Sequence, residues 1–264
     1  MTEQLRTPLD GDRVERDAVG GWRLTVLAST GSTNTDLLAA AATGAPDRSV
    51  LAAELQTGGR GRLDRGWTSP SQAGLTFSVL LRPAVPAPSW GWLPLLAGLT
   101  LRRTIGGDAA LKWPNDLLLG PDDGKVAGIL AQTGKGAVVI GIGLNVTLTA
   151  SELPVPTATS LALQGVEQLD RTALLAGFLT ELDAVLGRWQ GSGGDAEASG
   201  LAAEYRDGCR TIGQQVSVQL PDRTVTGRVL DVDPAGRLVL QPDDGGPGMP
   251  IAAGDVTHTR PISR

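Results

Sequence analysis

Between residues 109 and 146 the chain carries four apolar runs in close succession: AALKW at 109–113, LLL at 117–119, KVAGILAQT at 125–133 and AVVIGIGLNV at 137–146. The gaps between them are too short for crossover helices, since a parallel connection needs about a dozen residues or more. The runs must therefore pair as antiparallel hairpins. Upstream, WRLTVLA (22–28), VLAAELQ (50–56) and GLTFSVLLR (74–82) read as further strands, with an alanine-rich helix over 34–43 that Ser32 or Thr33 would cap. A helix is expected over 90–105, with Pro94 in its first turn, and an amphipathic helix over 171–189; residues 191–200 read as a loop. From Gly213 the pattern changes to VSVQL, TVTGRVL, RLVL and IAAGDVTHT, separated by turns. Four or five short strands in about fifty residues predict a small barrel. The expected domains are 1–210, holding the chemistry, and 211–264, the barrel.

Composition narrows the function. With 264 residues, 41% of them hydrophobic, the chain can bury a sizeable core. It has no apolar run of about 18 residues, and its first residues lack the features of a signal peptide, so a cytoplasmic protein with no membrane partner is expected. Cys209 is the single cysteine and reads as a structural thiol, while His258 is the single histidine, so clusters of both types cannot ligate a metal. The net charge of −5 argues against DNA binding, and about thirty residues before the first motif are too few for a helix-turn-helix domain. The basic residues are 20 arginines and only Lys112, Lys125 and Lys135; asparagine occurs only as Asn34, Asn115 and Asn145. A chain so poor in both types keeps them where the side chain itself matters.

Those residues fall into ordered motifs. Ser32-Thr33-Asn34 at a strand-to-helix turn is a plain helix cap or a set of hydrogen-bonding groups for a neutral polar ring. QTGGRGRLDRGW at 56–67 places Gln56, Gly59, Arg60, Gly61, Arg62, Arg65 and Trp67 in one loop. Its spacing is not that of a Walker loop; a mobile arginine lid over phosphate or carboxylate fits better, and a solvated basic turn is the bland alternative. KWPND at 112–116 and GKVAGIL at 124–130 set Lys112 and Lys125 on two neighbouring strands, with Asp116 able to orient a lysine or hold a divalent ion, and Gly128 close by; a surface hairpin with a salt bridge is the alternative. GIGLN at 141–145 ends a buried strand, with Gly141 marking a close approach.

Together and in this order, the motifs resemble those of the biotin protein ligase family, strongly over about residues 22–147 and through layout alone in the C-terminal barrel. The resemblance implies an α/β fold with a mixed, largely antiparallel sheet flanked by helices, and a small C-terminal SH3-like β-barrel. It implies ATP and Mg2+ as substrate and activator, and biotin as the acid substrate. Ser32, Thr33, Asn34, Gln56, Gly59, Arg60, Gly61, Arg62, Lys125, Gly128 and Gly141 would form the biotin site. Arg62, Arg65, Trp67, Asn115, Lys125 and Asn145 would serve the nucleotide, and Asp116 its magnesium. Lys125, Arg62, Lys112 and Asp116 would carry the chemistry. The partner would be the biotin carboxyl carrier domain of a carboxylase, and the chain a monomer or homodimer without DNA. Asp64 departs from the family, standing where many members have glycine.

The implied chemistry converts a carboxylate to an acyl adenylate with loss of pyrophosphate, and a lysine of the acceptor then attacks the carbonyl. Two alternatives stay open. A lipoate or octanoate ligase or transferase has a related fold, and a non-catalytic biotin- or nucleotide-sensing protein would keep the binding residues. A transferase with a cysteine nucleophile is disfavoured because Cys209 lies outside every motif.

Overall fold

A computed structural model describes residues 6–258. The four successive runs form β4 (Ala110–Lys112), β5 (Asp116–Leu119), β6 (Gly124–Gly134) and β7 (Ala137–Asn145), each antiparallel to the next. β3 (Gly74–Leu81) pairs antiparallel with β7, and β2 (Ser49–Ala53) with β3. β1 (Arg23–Leu27) joins β2 through α2 (Thr33–Ala42), a connection long enough to make that pair parallel. The seven strands lie in the order β1-β2-β3-β7-β6-β5-β4, the mixed, largely antiparallel sheet expected.

Alternation along the strands gives the sheet two unlike faces. Leu75, Phe77, Val79 and Leu81 of β3 and Val138, Ile140, Ile142 and Leu144 of β7 enter the main core, against α3 (Leu93–Ile105) and α4 (Arg171–Gly191). Phe77 and Phe178 meet edge to face there, 5.1 Å between centroids. On the other face α2 sets Leu37 and Ala41 against Leu51, Leu80, Ala137 and Val139, and so covers only one end. The remainder of that face carries Thr76 and Ser78 on β3, Gly128 and Leu130 on β6, and Gly141, Gly143 and Asn145 on β7. Small side chains there leave a bare floor.

The C-terminal segment forms β8 (Gln215–Gln219), β9 (Thr224–Val232), β10 (Leu238–Pro242), β11 (Met249–Ile251) and β12 (Asp255–His258). They make one antiparallel sheet in the order β11-β10-β9-β8-β12, with a bulge at Val239/Leu240, in keeping with the SH3-like unit expected. Val216, Val218, Val229, Val232, Leu238 and Leu240 belong to the same apolar cluster as the main core. Two tryptophans tie the units: Trp92 Nε1 donates to Pro234 O at 2.7 Å and Trp113 Nε1 to Gly236 O at 3.1 Å.

Two local expectations change, and two short helices are added. The helix expected from residue 90 begins at Leu93, with Pro94 in its first turn; Ala87–Trp92, broken by Pro88 and Gly91, is a 3-10 turn. Helices α1 (Gly11–Asp17) and α5 (Leu201–Asp207), at seven residues each, are too short to show periodicity in sequence. Finally, Ser32 occupies the N-cap position of α2 but its side chain makes no capping hydrogen bond. Among the described residues no helix is long and apolar enough to cross a membrane.

Candidate active site

The bare floor, the loop at 56–67, the segment 154–159 and one edge of the second sheet enclose a cleft of about 1070 Å³. The part beside α2 is neutral and polar. Instead of Ser32, the side chain of Gln56 satisfies the start of α2: its Oε1 accepts from Thr33 N at 2.8 Å and lies 3.0 Å from Thr33 Oγ1. Thr33 Oγ1 is 2.8 Å from Ser78 Oγ, which donates to Asn34 Oδ1 at 2.7 Å. Asn34 Nδ2 donates to Leu130 O and to Gln132 Oε1, at 3.1 and 2.9 Å. Gly141 makes room for this network, because a Cβ there would lie 2.4 Å from Asn34 Oδ1.

Two residues further along β7 the character changes. The Trp67 indole lies on Gly143, where a Cβ would be 2.2 Å from its ring, and near Gly128, which pairs with Gly143 in register. Its Nε1 is buried without a hydrogen-bond partner. Lys125 Nζ stands 5.9 Å from that ring's centroid and 2.6 Å from Asp116 Oδ1. Asp116 Oδ1 lacks an aligned hydrogen bond, so the contact is an ion pair. Lys112 pairs in register with Asp116 across β4 and β5. The two lysines are thus not on neighbouring strands as expected: β5 runs between β4 and β6 and carries Asp116 between them. Asn115 Nδ2 donates to Ile129 O at 3.2 Å and Asn145 Nδ2 to Thr159 O at 2.9 Å, so both asparagines also brace the cleft's walls.

The glycine-arginine loop is a closed turn. Gly61 N donates to Arg65 O at 2.6 Å, Trp67 N to Gly59 O at 2.9 Å, and Arg60 bridges Gly66. Leu63 at its tip has φ 54° and is 65% exposed, a conformation unfavourable for a branched apolar residue. Arg62 donates to Asn115 Oδ1 at 3.2 Å and to Gly254 O at 3.1 Å, and Arg65 pairs with Asp255. Burial lowers the Arg62 pKa, opposed by the charges of Asp116 and Asp255. Desolvation of the guanidinium outweighs the two nearby carboxylates.

Nearly all residues singled out in the sequence meet in this cleft: Ser32, Thr33, Asn34, Gln56, Arg60, Gly61, Arg62, Arg65, Trp67, Lys112, Asn115, Asp116, Lys125, Gly128, Gly141 and Asn145 line it. Gly59 does not. It is packed beneath Trp67, whose carbonyl oxygen would be 2.4 Å from a Cβ at that position. Missing from the sequence reading are Pro154–Thr159 and Gln164, which carry no motif, and Gln214, Asp255, Thr257 and His258 of the C-terminal unit. His258, the single histidine, does reach the cleft. Its Nε2 is 3.2 Å from Thr211 Oγ1, a fully buried hydroxyl and so no nucleophile. Burial and then Lys112 lower the His258 pKa, with Asp123 opposing. Cys209 is buried outside the cleft, and burial raises its pKa, which keeps the thiol protonated and unreactive.

Comparison with known proteins agrees with this geometry. The sequence pattern of the Biotin/lipoate A/B protein ligase family matches residues 26–147, and that of the Biotin protein ligase C terminal domain matches 211–259. The chain is 44% identical to the biotin--[acetyl-CoA-carboxylase] ligase of Mycobacterium tuberculosis, covering 98% of both chains. It is 31% identical to the bifunctional ligase/repressor BirA of Bacillus subtilis, over 83% of this chain and 69% of that one. The biotin protein ligase of Aquifex aeolicus, solved in complex with biotin and ATP, superposes with a TM-score of 0.72 at 26% identity, covering 90% of this chain and 99% of that one. Near-complete mutual coverage at 44% identity, with the ordered motifs gathered in one cleft, means that the chain belongs to the biotin protein ligase family.

Proposed function

We infer that this chain is an ATP-dependent biotin protein ligase, which condenses biotin with ATP to biotinyl-5'-adenylate and then biotinylates a lysine in the carrier domain of a carboxylase. The observation that carries this is one continuous cleft, neutral and donor–acceptor patterned over Gly141, cationic beside Gly143. The ring of biotin suits the first part and its carboxylate the second. The chain divides into a catalytic unit, 1–210, and a barrel unit, 211–264, that adds an edge to the site.

In the first step a carboxylate oxygen attacks the α-phosphorus and the bond to the β-phosphate oxygen breaks, releasing pyrophosphate. Charge gathers on the α-phosphate oxygens and the leaving group. Lys125, Lys112 and Arg62 are the cations placed to stabilise it, and fixed cations in a partly water-excluded cleft are effective because they need no reorganisation. Lys125 is held by Asp116 and by the Trp67 face. A magnesium ion would arrive on the ATP phosphates with Asp116 as its protein carboxylate, supplying further charge neutralisation. Such an ion would be held mainly by phosphate and water. In the second step the acceptor amine attacks the carbonyl carbon, AMP leaves, and Asp116 is the carboxylate placed to orient the amine and take its proton.

Pyrophosphate exchange into ATP, with biotin, lipoate or octanoate as the only acid, tests this reading. Exchange is expected with biotin. Exchange with lipoate alone would overturn the assignment, and binding of biotin without any exchange would make the chain a sensor.

A further inference from the structure

We propose that Arg6 is a positioning residue for the nucleotide: it clamps the segment that carries the 154–159 wall of the cleft, and the firmness of that clamp sets how tightly ATP is held. The proposal rests on the biotin-ligase reading and extends it to a residue outside the cleft and outside every sequence motif.

After Asn145, which ends β7, the chain leaves the sheet and later returns to it. The root of this excursion is closed where Leu161 N donates to Asn145 O at 3.0 Å and Ala162 N to Val146 O at 2.9 Å. Its far part is the wall, and the wall is bonded to two residues read as nucleotide ligands. Lys125 N donates to Thr157 O at 2.8 Å, Thr159 N to Lys125 O at 2.9 Å, and Asn145 Nδ2 to Thr159 O at 2.9 Å. Pro154 and Pro156 have no N–H to give, so the start of the wall is short of donors with which to hold itself.

Arg6 supplies a hold from outside. Its guanidinium is forked onto Glu152, Nη1 to Oε1 at 3.0 Å and Nη2 to Oε2 at 2.6 Å. The same group reaches the root at Thr147, Nη2 to the carbonyl at 3.1 Å and Nε to Oγ1 at 3.3 Å. One rigid planar group therefore ties Thr147 to Glu152, two residues before Pro154. Glu152 Oε2 also accepts from Thr149 N and Thr149 Oγ1, each at 2.9 Å. Arg6 first, and then the Thr149 N–H, hold the Glu152 carboxyl down at about 2. A carboxyl depressed in this way loses its pairing only as pH falls toward that value, so the clamp is ionised at neutral pH. The pair is also sheltered, its side chains 13% and 28% exposed, and is screened less than a pair at the surface.

The backbone beside Arg6 is pinned to the core. Thr7 O accepts from Arg171, which is 2% exposed and paired with Glu54 at 2.7 Å, and Leu9 N donates to Glu54 Oε1 at 2.6 Å. The ring end of the cleft is built differently, from Thr33, Asn34, Gln56 and Ser78 bonded to one another and to β6. Loosening the excursion should therefore weaken the nucleotide and spare biotin.

The test is pyrophosphate exchange with ATP varied at saturating biotin, beside calorimetric titration of the same chains with biotin. Arg6→Ala is expected to raise the KM for ATP roughly tenfold, the loss of one charge-assisted fork, with biotin affinity unchanged. Arg6→Lys, which keeps the charge without the fork, is expected to recover part of that loss. Glu152→Gln, which can still accept from Thr149, is expected to act as Arg6→Ala does, and stands in for it should the alanine variant fail to fold. The double variant is expected to be no worse than either single one, because both changes remove the same contact. An unchanged KM for ATP in a folded variant would overturn the proposal, as would additive losses in the double variant. An equal weakening of biotin would overturn it too, since that marks a general loosening of the fold. A wild-type chain without biotin-dependent exchange would overturn the functional reading itself, and this inference with it.

Discussion

A Cβ at Gly143 would lie 2.2 Å from Cε2 of Trp67, and β7 cannot retreat because β3 and β6 hold it on both edges. The indole must therefore leave in Gly143→Ala. The opposite face of β7, with Ile142 and Leu144 in the core, is untouched, so the fold should persist. Displacing the ring removes a flat aromatic surface and its contact with Lys125, interactions worth about 1 kcal/mol or somewhat more together, or roughly a tenfold rise in the KM for ATP. Biotin affinity should change little, since the Thr33, Gln56 and Asn34 network sits over Gly141 and not Gly143. Steady-state pyrophosphate exchange with each substrate varied in turn checks this. An unchanged KM for ATP would show that Trp67 does not serve the nucleotide. The glycines themselves were visible in sequence, but which ring lay on each was not, because Trp67 and Gly143 are far apart in the chain and only the fold brings them together.

The arginine loop expresses a similar limit at the level of an element. Its hairpin bonds are its own, but it is tied down from outside by Arg62 to Gly254 O and by Arg65 to Asp255. Both Arg65 and Asp255 are well exposed, and such pairs contribute only about 0.2–1 kcal/mol. Asp255→Ala should then raise trypsin cleavage after Arg62 and Arg65 by no more than about fivefold in the free chain. With biotin and ATP present the added contacts should hold the loop and erase the difference. Equal cleavage of both chains without ligand would mean that Asp255 does not restrain the loop. The loop's composition announced arginines among glycines, and the hairpin succession at 109–146 announced the antiparallel half of the sheet, because both depend on local spacing. Tethers from β12, the wall formed by Pro154–Thr159 and the short helices α1 and α5 depend on long-range packing, and nothing in their own residues reports it.

At the scale of the whole molecule, the core runs without a break across the proposed boundary at residues 210 and 211. Val216, Val218, Val229, Val232, Leu238 and Leu240 join the cluster built around α3 and α4, and Thr211 Oγ1 accepts from Trp113 N at 3.0 Å. Trp92 and Trp113, each 1% exposed, send their indole N–H groups to carbonyls of the turn before β10. A chain ending at residue 210 loses the partners of both donors and bares both rings. Two large apolar side chains returned to water cost about 3–6 kcal/mol, against a total stability for a typical domain of about 5–15 kcal/mol. Loss of Gly254 and Asp255 also releases the arginine loop, so the chemistry and the packing fail together. The truncated chain is expected to show no cooperative thermal unfolding in far-ultraviolet circular dichroism and no biotin-dependent pyrophosphate exchange. A truncated chain that melted cooperatively and exchanged pyrophosphate at the full-length rate would show instead that the first 210 residues are self-sufficient, and that the second sheet contributes neither to the core nor to the site.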